Sequence, residues 1–278
     1  MNSILITLYN IFPRGMRNKI GKSRLLKPLR NLFLKTGGRY KEGDVAIERQ
    51  YLDYTSRFRF FSSIKNVVKA KKSGIENTLI LNSFKILADY KSEKEDLIIF
   101  DVGANFGFLS LVWATTLCEN KGKIIAFEPN LHVYHTFRKS IEYNHLKDKI
   151  SLHDFAVGSE NKTISLFMNN TTSNVLETQE NLDSSDVKMI TLDSYAKENQ
   201  LTHCDLIKID VDGIELDILE GCRNIIETFA PIFIVETNND ESIVSFFEAY
   251  NYLILDMKLK PFDRKMSLPL NIFCIPKN

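Results

Sequence analysis

The sequence predicts an α/β fold: a doubly wound, mostly parallel, Rossmann-like sheet preceded by a basic N-terminal extension. Short apolar runs that end in an acidic residue recur along the chain, and the first two cover residues 97–101 and 123–128. Stretches with apolar residues at helical spacing separate these runs, an alternation that is typical of a parallel sheet with right-handed crossovers. The composition, 44% hydrophobic and 26% charged over 278 residues, is that of one sizeable globular core.

The first ninety residues have a less regular pattern. Residues 25–33 carry apolar side chains at helical spacing, and Gly37 and Gly38 then mark a break. Residues 51–68 are rich in aromatic side chains, which predicts one or two strands. Residues 76–90 have the spacing of a helix that packs on the core.

From residue 96 onward strands and helices alternate. Strands are predicted at 97–101, 123–128, 150–156, 205–210 and 231–236. Three helices are predicted. The first runs from the glycine-containing turn after the first strand to about residue 118, the second covers 131–144, and the third follows the fourth strand and runs through residue 219. The remaining predicted features are an additional strand at 161–168, a polar loop at 169–186 and a closing antiparallel pair at 252–257 and 270–275.

Acidic residues lie at or near the ends of the five predicted parallel strands. The carboxyl ends of parallel strands meet at one edge of the sheet, and ligands bind outside that edge. The sequence therefore predicts a binding site that brings together Asp101, Glu128, Asp154, Asp210 and Glu236.

A glycine-containing turn follows the first of these strands. Residues 101–107 read Asp-Val-Gly-Ala-Asn-Phe-Gly, with Asn105 where a dinucleotide fingerprint requires its middle glycine. This replacement disfavours a nicotinamide-dependent oxidoreductase. S-adenosylmethionine has no phosphate and needs a close backbone approach, donors for its carboxylate and acceptors for its ammonium. Asp101, the turn glycines Gly103 and Gly107, and Asn105 can supply part of such a site.

The end of the second strand predicts the other half of a nucleoside site. Glu128 stands where an acid can accept hydrogen bonds from both ribose hydroxyls. Pro129 and Asn130 follow and offer a flat edge for the adenine. Asp154, near the end of the third strand, is predicted to accept the exocyclic amine of the adenine.

Together these residues resemble the FkbM family of S-adenosylmethionine-dependent methyltransferases. Six blocks carry the resemblance in order over about residues 75–275, and Lys-Ile-Asp-Val-Asp-Gly-Ile-Glu is the most diagnostic of them. The blocks are 101–107 with Ser110 and Leu111, 127–130, 156–158, 191–193, 207–215 with 219–221, and 231–236. The chain departs from the family pattern at Asp212, where the family usually has a longer glutamate.

The resemblance implies a class I methyltransferase with S-adenosylmethionine as its cofactor and Ala156 in the cofactor site. It further implies an O-methyltransferase that acts on a small-molecule or glycan acceptor, through a hydroxyl of a sugar, a glycan or a natural product. The matching blocks divide the chain into a basic N-terminal extension with lead-in strands, residues 1–74, and a methyltransferase domain, residues 75–278.

Methyl transfer to an alcohol also requires removal of the hydroxyl proton, and three residues are candidates for this chemistry. Asp210 is predicted as the general base because it ends the fourth strand. Lys208 lies two residues earlier on the same face of the strand, where a structural ion pair is an equal alternative to a catalytic role. Asp212 is the third candidate, and capping of the next helix would explain it as well.

Further acids are predicted to face the acceptor. Glu215 and Glu236 are assigned to the substrate side of the site, with helix capping as the alternative for Glu215. Asp210, Glu236 and Asn238 would also provide oxygen ligands at neighbouring strand ends, an arrangement suited to Mg²⁺. A site without metal is the preferred interpretation, because acid-terminated strands are already expected in this fold.

Basic residues are concentrated at the amino terminus. Residues 1–41 contain ten Lys or Arg residues and no acid, although the whole chain carries 36 basic and 35 acidic residues. Apolar side chains interleave with these charges. The pattern predicts either peripheral contact with an anionic membrane surface or a helical cap on the core whose charges are solvated.

The remaining sequence features bear on location and on rival functions. The chain lacks a secretory signal pattern, which predicts a cytoplasmic protein that could also associate with the cytoplasmic face of a membrane. Its four cysteines lack metal-ligand spacing, which predicts reduced thiols. A disulfide between Cys204 and Cys222 is the alternative. Nucleic-acid methylation is disfavoured because acids around the acceptor would repel phosphate. A non-catalytic membrane-surface protein on the same fold is the rival from another class.

Overall fold

The computed structural model describes residues 35–36, 39–91, 96–169, 172–174, 184–211 and 213–277. Its first elements are two short paired strands, β1 (Lys35–Thr36) and β2 (Arg39–Tyr40), followed by a long antiparallel hairpin of β3 (Glu42–Tyr51) and β4 (Tyr54–Ser63). The predicted helix at 25–33 lies outside the described residues.

Two helices follow the hairpin: α1 (Ile64–Ser73) and α2 (Asn77–Lys91). The prediction of strands over 51–68 is right as far as Ser63 and wrong beyond it. The Ser63 side chain accepts a hydrogen bond from the Asn66 amide and thereby caps the start of α1. Ile64, Val67 and Val68 then bury one face of the helix, a helical spacing that the aromatic composition of the segment obscures.

The next five elements alternate as predicted: β5 (Ile98–Val102), α3 (Phe108–Ala114), β6 (Lys123–Phe127), α4 (Leu131–Tyr143) and β7 (Ile150–His153). A second, four-stranded sheet is then formed by β8 (Ala156–Val157), β9 (Lys162–Asn169), β10 (Thr172–Asn174) and β11 (Ser184–Ile190), and α5 (Leu192–Glu198) follows it. The predicted loop at 169–186 is therefore wrong where β10 and the start of β11 lie, because both pair with β9.

The last elements complete the central sheet: β12 (Leu206–Ile209), α6 (Glu215–Glu220), α7 (Arg223–Phe229), β13 (Ile232–Glu236), α8 (Glu241–Ala249), β14 (Tyr252–Leu255) and β15 (Asn271–Pro276). Seven strands pair in the order β14-β15-β13-β12-β5-β6-β7, of which only the pairings made by β15 are antiparallel. The predicted doubly wound, mostly parallel sheet is confirmed, as is the closing antiparallel pair.

The strand order reverses between β5 and β12. The chain moves outward from β5 through β6 to β7 on one side, and from β12 through β13 on the other. Helices that follow the two strands leave in opposite directions at such a point, which opens a crevice at the carboxyl ends of the strands. The fold therefore places a ligand site next to Val102 and Ile209.

Apolar side chains fill both sides of the central sheet. Ile99 of β5 belongs to one buried cluster and its neighbour Phe100 to the other, because successive side chains of a strand point to opposite faces. The four cysteines are free and buried in the structure, and the redox state of these thiols stays a prediction.

The predicted division of the chain at residue 75 and the predicted membrane contact of residues 1–41 stay predictions, since most of that basic segment lies outside the described residues. Among the described residues, the helices are too short or too polar to span a bilayer.

Candidate functional site

A cavity of about 310 Å³ opens at the carboxyl ends of β5 and β12. Its walls come from four places: the turn after β5, the end of β6, the end of β12, and the β4–α1–α2 region that covers them. The lining residues are Phe60, Asn66, Lys69, Ile75, Glu76, Asp101, Gly103, Ala104, Asn105, Phe106, Phe108, Leu109, Glu128, Pro129, Lys208, Asp210 and Val211.

The glycine turn packs so tightly that side chains are excluded at two of its positions. Gly103 has φ +72°, and a Cβ atom there would lie 2.0 Å from the backbone oxygen of Asp210. Gly107 has φ +74°, and a Cβ atom there would lie 2.0 Å from the buried ring of Phe137. The glycines thus bring the backbone of the turn against the end of β12 and against α4. Asn105 also has a positive φ of 52°, and its side-chain oxygen accepts the Phe106 amide.

Lys208 is a buried cation at the floor of the site. Its Nζ atom lies 3.2 Å from Asp101 Oδ1 and 3.6 Å from Asp210 Oδ2, and it donates a hydrogen bond of 2.8 Å to the Gly103 carbonyl. Burial alone would lower the pKa of this amine, but the surrounding carboxylates raise it above its ordinary value. Lys208 therefore stays protonated and joins the turn after β5 to the end of β12.

Asp101 is the buried anion opposite Lys208. Only 1% of its surface is exposed, and its second carboxylate oxygen accepts a hydrogen bond of 2.5 Å from the Ser110 hydroxyl. Ser110 lies on α3, one turn after the glycine-containing loop. The carboxylate of Asp101 consequently ties α3 to the strand end and counters the charge of Lys208.

Glu128 lies just after β6, and two backbone amides hold its carboxyl group. Oε2 accepts the Asn105 amide and Oε1 accepts the Asn130 amide, both at 2.8 Å. Burial raises the pKa of Glu128 to about 7, although these two hydrogen bonds and the charge of Lys208 act in the opposite direction. The group is fixed in orientation, lines the cavity and changes charge near neutral pH.

Asp210 presents the most accessible carboxylate of the buried cluster, with 34% of its side chain exposed. Burial acts to raise its pKa, but the Lys208 ammonium and hydrogen bonds with Glu236 and Lys208 outweigh that effect, and the pKa lies below its ordinary value. Asp210 is therefore ionised at neutral pH, contacts Glu236 at the end of β13, and borders the cavity.

Two further predicted residues contact each other near the site. Glu215 is 2% exposed, and its Oε1 atom accepts hydrogen bonds from the Gly213 amide and, at 2.7 Å, from the Asn238 side chain. Asn238 also donates to the Val211 carbonyl. These contacts tie the loop after β12 to the loop after β13. Burial raises the pKa of Glu215, although these hydrogen bonds act to lower it. Asp212 lies outside the described residues.

The metal alternative finds no support in the described residues. No group of three His, Cys, Asp or Glu side chains there is arranged to hold a metal ion. Asp210 and Glu236 are in contact with each other, and the amide nitrogen of Asn238 is engaged with Glu215.

The predicted adenine-side residues are distributed differently. Pro129 lines the cavity, whereas the Asn130 side chain accepts the His132 amide and caps α4. Asp154 is exposed just past the end of β7 and is not among the lining residues. Ala156 is buried in β8, where it pairs with β11. The cofactor roles of these residues stay predictions.

Three polar lining residues were not predicted from the sequence: Asn66 and Lys69 of α1, and Glu76 just before α2. Glu76 has φ +51°, in the left-handed region that residues other than glycine rarely adopt. The sequence predicted strands over residues 51–68 and, over residues 76–90, only a helix that packs on the core. Only the three-dimensional packing of α1 and α2 over the carboxyl ends of the strands brings these side chains to the cavity.

Comparison with known proteins places these observations in a family context. A family model described as a methyltransferase FkbM domain matches residues 101–255, which is more than half of the chain. The matched range begins at Asp101 and includes the glycine turn, Glu128, Lys208 and Asp210.

A curated relative is the hexuronic acid methyltransferase AglP of Haloferax volcanii, which is 23% identical over 135 residues. The match covers 49% of this chain and 54% of AglP, so the chain spans about half the length of this relative. A solved structure with a similar fold is the methyltransferase FkbM from Methylobacillus flagellatus, with 13% identity, a TM-score of 0.46, and coverage of 65% of this chain and 44% of that one. Another is the C-terminal domain of precorrin-6Y C5,15-methyltransferase from Rhodobacter capsulatus, with 13% identity and a TM-score of 0.41. That match covers 73% of this chain and 90% of the other.

Proposed function

Because the chain belongs to the FkbM methyltransferase family, we propose that it is an S-adenosylmethionine-dependent O-methyltransferase that acts on a hydroxyl of a sugar, a glycan or a related natural product. The observation that carries this proposal is the cavity itself. It joins Glu128, a fixed carboxyl group suited to a ribose, to Asp210, an ionised carboxylate suited to a hydroxyl.

The residues of the cavity fit S-adenosylmethionine. The tight turn at Gly103 leaves the backbone open to a ligand, and the two backbone amides at Glu128 orient its oxygen atoms toward diol recognition. Four carboxyl groups line the cavity against two ammonium groups, which favours a ligand with cationic centres: Glu76, Asp101, Glu128 and Asp210 against Lys69 and Lys208. When bound, the cofactor supplies a methyl group activated by a sulfonium.

The protein's own contribution to methyl transfer is alignment and proton removal. Asp210 is the proposed base, since its carboxylate is ionised, borders the cavity and is partly accessible. Lys208 positions it and cannot itself be the base, because its ammonium is held between Asp101 and Asp210. Asp212 and Glu236 are proposed to assist on the acceptor side, and Glu215 acts there by fixing the loop after β12.

The relative AglP supports a sugar acceptor, since it is a hexuronic acid methyltransferase. The acid-rich lining of the cavity also disfavours a polyanionic acceptor such as nucleic acid. The test is transfer of a labelled methyl group from S-adenosylmethionine to a panel of methyl glycosides, with the product mapped by mass spectrometry. Label on a sugar oxygen is expected. Label that appears only on nitrogen, or only on RNA or DNA, would refute the proposed acceptor class.

The ribose role of Glu128 leads to a pH-dependent prediction. Substitution Glu128→Gln should weaken S-adenosylhomocysteine binding about 30-fold at pH 8, the effect of losing roughly 2 kcal/mol of charged hydrogen bonding. In the wild-type protein a pKa of about 7 means that the carboxyl group is mostly protonated below neutral pH. Binding to the carboxylate form then requires loss of a proton, so Kd should rise about tenfold per pH unit below 7 and level off above it.

Isothermal titration calorimetry between pH 5.5 and 8.5 measures both effects. The Glu128→Gln variant should lose the pH dependence along with the affinity. The exposed Glu119, substituted to Gln, is the matched control and should retain the wild-type curve. An unchanged affinity in Glu128→Gln would contradict the ribose assignment.

A further inference from the structure

Three polar side chains enter the cavity from outside the range that matches the family model. Asn66 and Lys69 belong to α1, and Glu76 lies in the turn before α2, whereas the family match begins at residue 101. The floor of the cavity, by contrast, is built from residues within that match. The covering residues are therefore where this chain can differ in specificity from others that share the floor.

Glu76 lines the same cavity as Asp210 and lies within electrostatic reach of it. The charged groups that act on its carboxyl are Lys208, Asp210, Asp101 and Lys69. Glu76 and Lys69 thus act on each other electrostatically and line the same cavity as the carboxylate that we propose as the base.

Lys69 and Lys208 differ in what they already bind. Lys208 is saturated by carboxylates and backbone carbonyls. Within the part of the chain that the structure describes, the Lys69 ammonium makes no hydrogen bond or ion pair, and neither does the Glu76 carboxylate. Lys69 is accordingly the lining cation that can pair with a bound anion, and Glu76 is an acceptor available to hydroxyls.

We propose that Asn66, Lys69 and Glu76 form an acceptor subsite for a sugar that carries a carboxylate. In this subsite Lys69 pairs with the carboxylate, Asn66 and Glu76 hydrogen-bond to ring hydroxyls, and the reacting hydroxyl faces Asp210. Of the described residues, Lys69 is the one available ammonium among four lining carboxyl groups, which suits a monoanion, and those carboxyl groups repel a phosphate dianion more strongly. This inference rests on the proposed function, because it names the acceptor class of the same site.

The experiment uses the full chain saturated with S-adenosylhomocysteine. Calorimetry compares the methyl glycosides of glucuronate and galacturonate with those of glucose and galactose, which lack the carboxylate and keep the ring. The two uronides should bind about threefold to fivefold more tightly than the neutral sugars, as an ion pair with an exposed lysine predicts. Lys69→Gln should abolish this preference. Glu76→Ala should instead weaken binding of the neutral sugars, since they lose an acceptor for their hydroxyls.

Lys71→Gln is the matched control, because Lys71 is exposed on the same helix and is not a lining residue. Equal binding of uronides and neutral sugars, absence of uronide binding, or a preference that survives Lys69→Gln would overturn the proposal. So would a Lys69→Gln variant that loses S-adenosylhomocysteine affinity, since Lys69 would then serve the carboxylate of the cofactor. Failure of the wild-type protein to bind S-adenosylhomocysteine at all would instead remove the proposed function on which this subsite depends.

Discussion

Substitution of Lys208 by methionine is expected to lower the free energy of unfolding by about 3–5 kcal/mol, the range for breaking a buried ion pair by removal of one partner. Methionine nearly preserves the volume of the side chain but removes its charge. Asp101, which is 1% exposed, would keep a buried carboxylate whose nearest cation is gone. The carbonyl of Gly103 would also lose the hydrogen bond that Lys208 donates to it.

Chemical denaturation followed by circular dichroism measures this loss. Lys91→Met is the matched control, because Lys91 also faces a buried carboxylate, that of Asp205 at 3.9 Å, but keeps 25% of its side chain in solvent. We expect a cost of about 1 kcal/mol or less for the control. The double variant Lys208→Met with Asp101→Asn should recover part of the stability, because the unpaired buried carboxylate of Asp101 is then removed. A loss under about 1 kcal/mol for Lys208→Met alone would contradict the described ion-pair network.

The framework of the site could be predicted from the sequence, because it depends on local pattern. Asp101 lies near the end of β5, and Glu128 and Asp210 directly follow β6 and β12. These strands are short and mostly apolar, and a parallel sheet brings their carboxyl ends to one edge. The period of two along a strand also predicted that Lys208 and Asp210 share a face, and the structure brings them to 3.6 Å.

Other features could not be predicted, because they depend on neighbours distant in the chain. Asp154 follows the third strand as expected, but β7 is the edge strand of the sheet, so this side chain is exposed beside the site. The side chain of Asn130 caps α4, a local alternative that the motif alone does not reveal. Glu76 reaches the cavity only because α1 and α2 pack across the strand ends, which no spacing in the sequence indicates.

Substitution of Asp210 by asparagine should lower the turnover number by about 10² or more, the contribution of a positioned general base. Asparagine keeps the size of the side chain and can still accept a hydrogen bond from Lys208, but it cannot take a proton from a hydroxyl. The Kd for S-adenosylmethionine should change by no more than a few-fold, since Glu128 and the turn at Gly103 form the proposed cofactor end.

The lowered pKa of Asp210 also sets the expected pH dependence of turnover in the wild-type protein. Because its pKa is lowered, the Asp210 carboxylate stays ionised throughout the neutral range, and turnover should fall only when acid protonates it.

Calorimetry with S-adenosylmethionine and single-turnover methyl transfer, run side by side, separate binding from chemistry. Asp217→Asn, on the exposed face of α6, is the matched control and should keep the wild-type rate. Equal losses of binding and turnover in Asp210→Asn would assign Asp210 to the cofactor site. Wild-type activity that vanishes with a chelator and returns with Mg²⁺ would instead indicate metal-assisted catalysis.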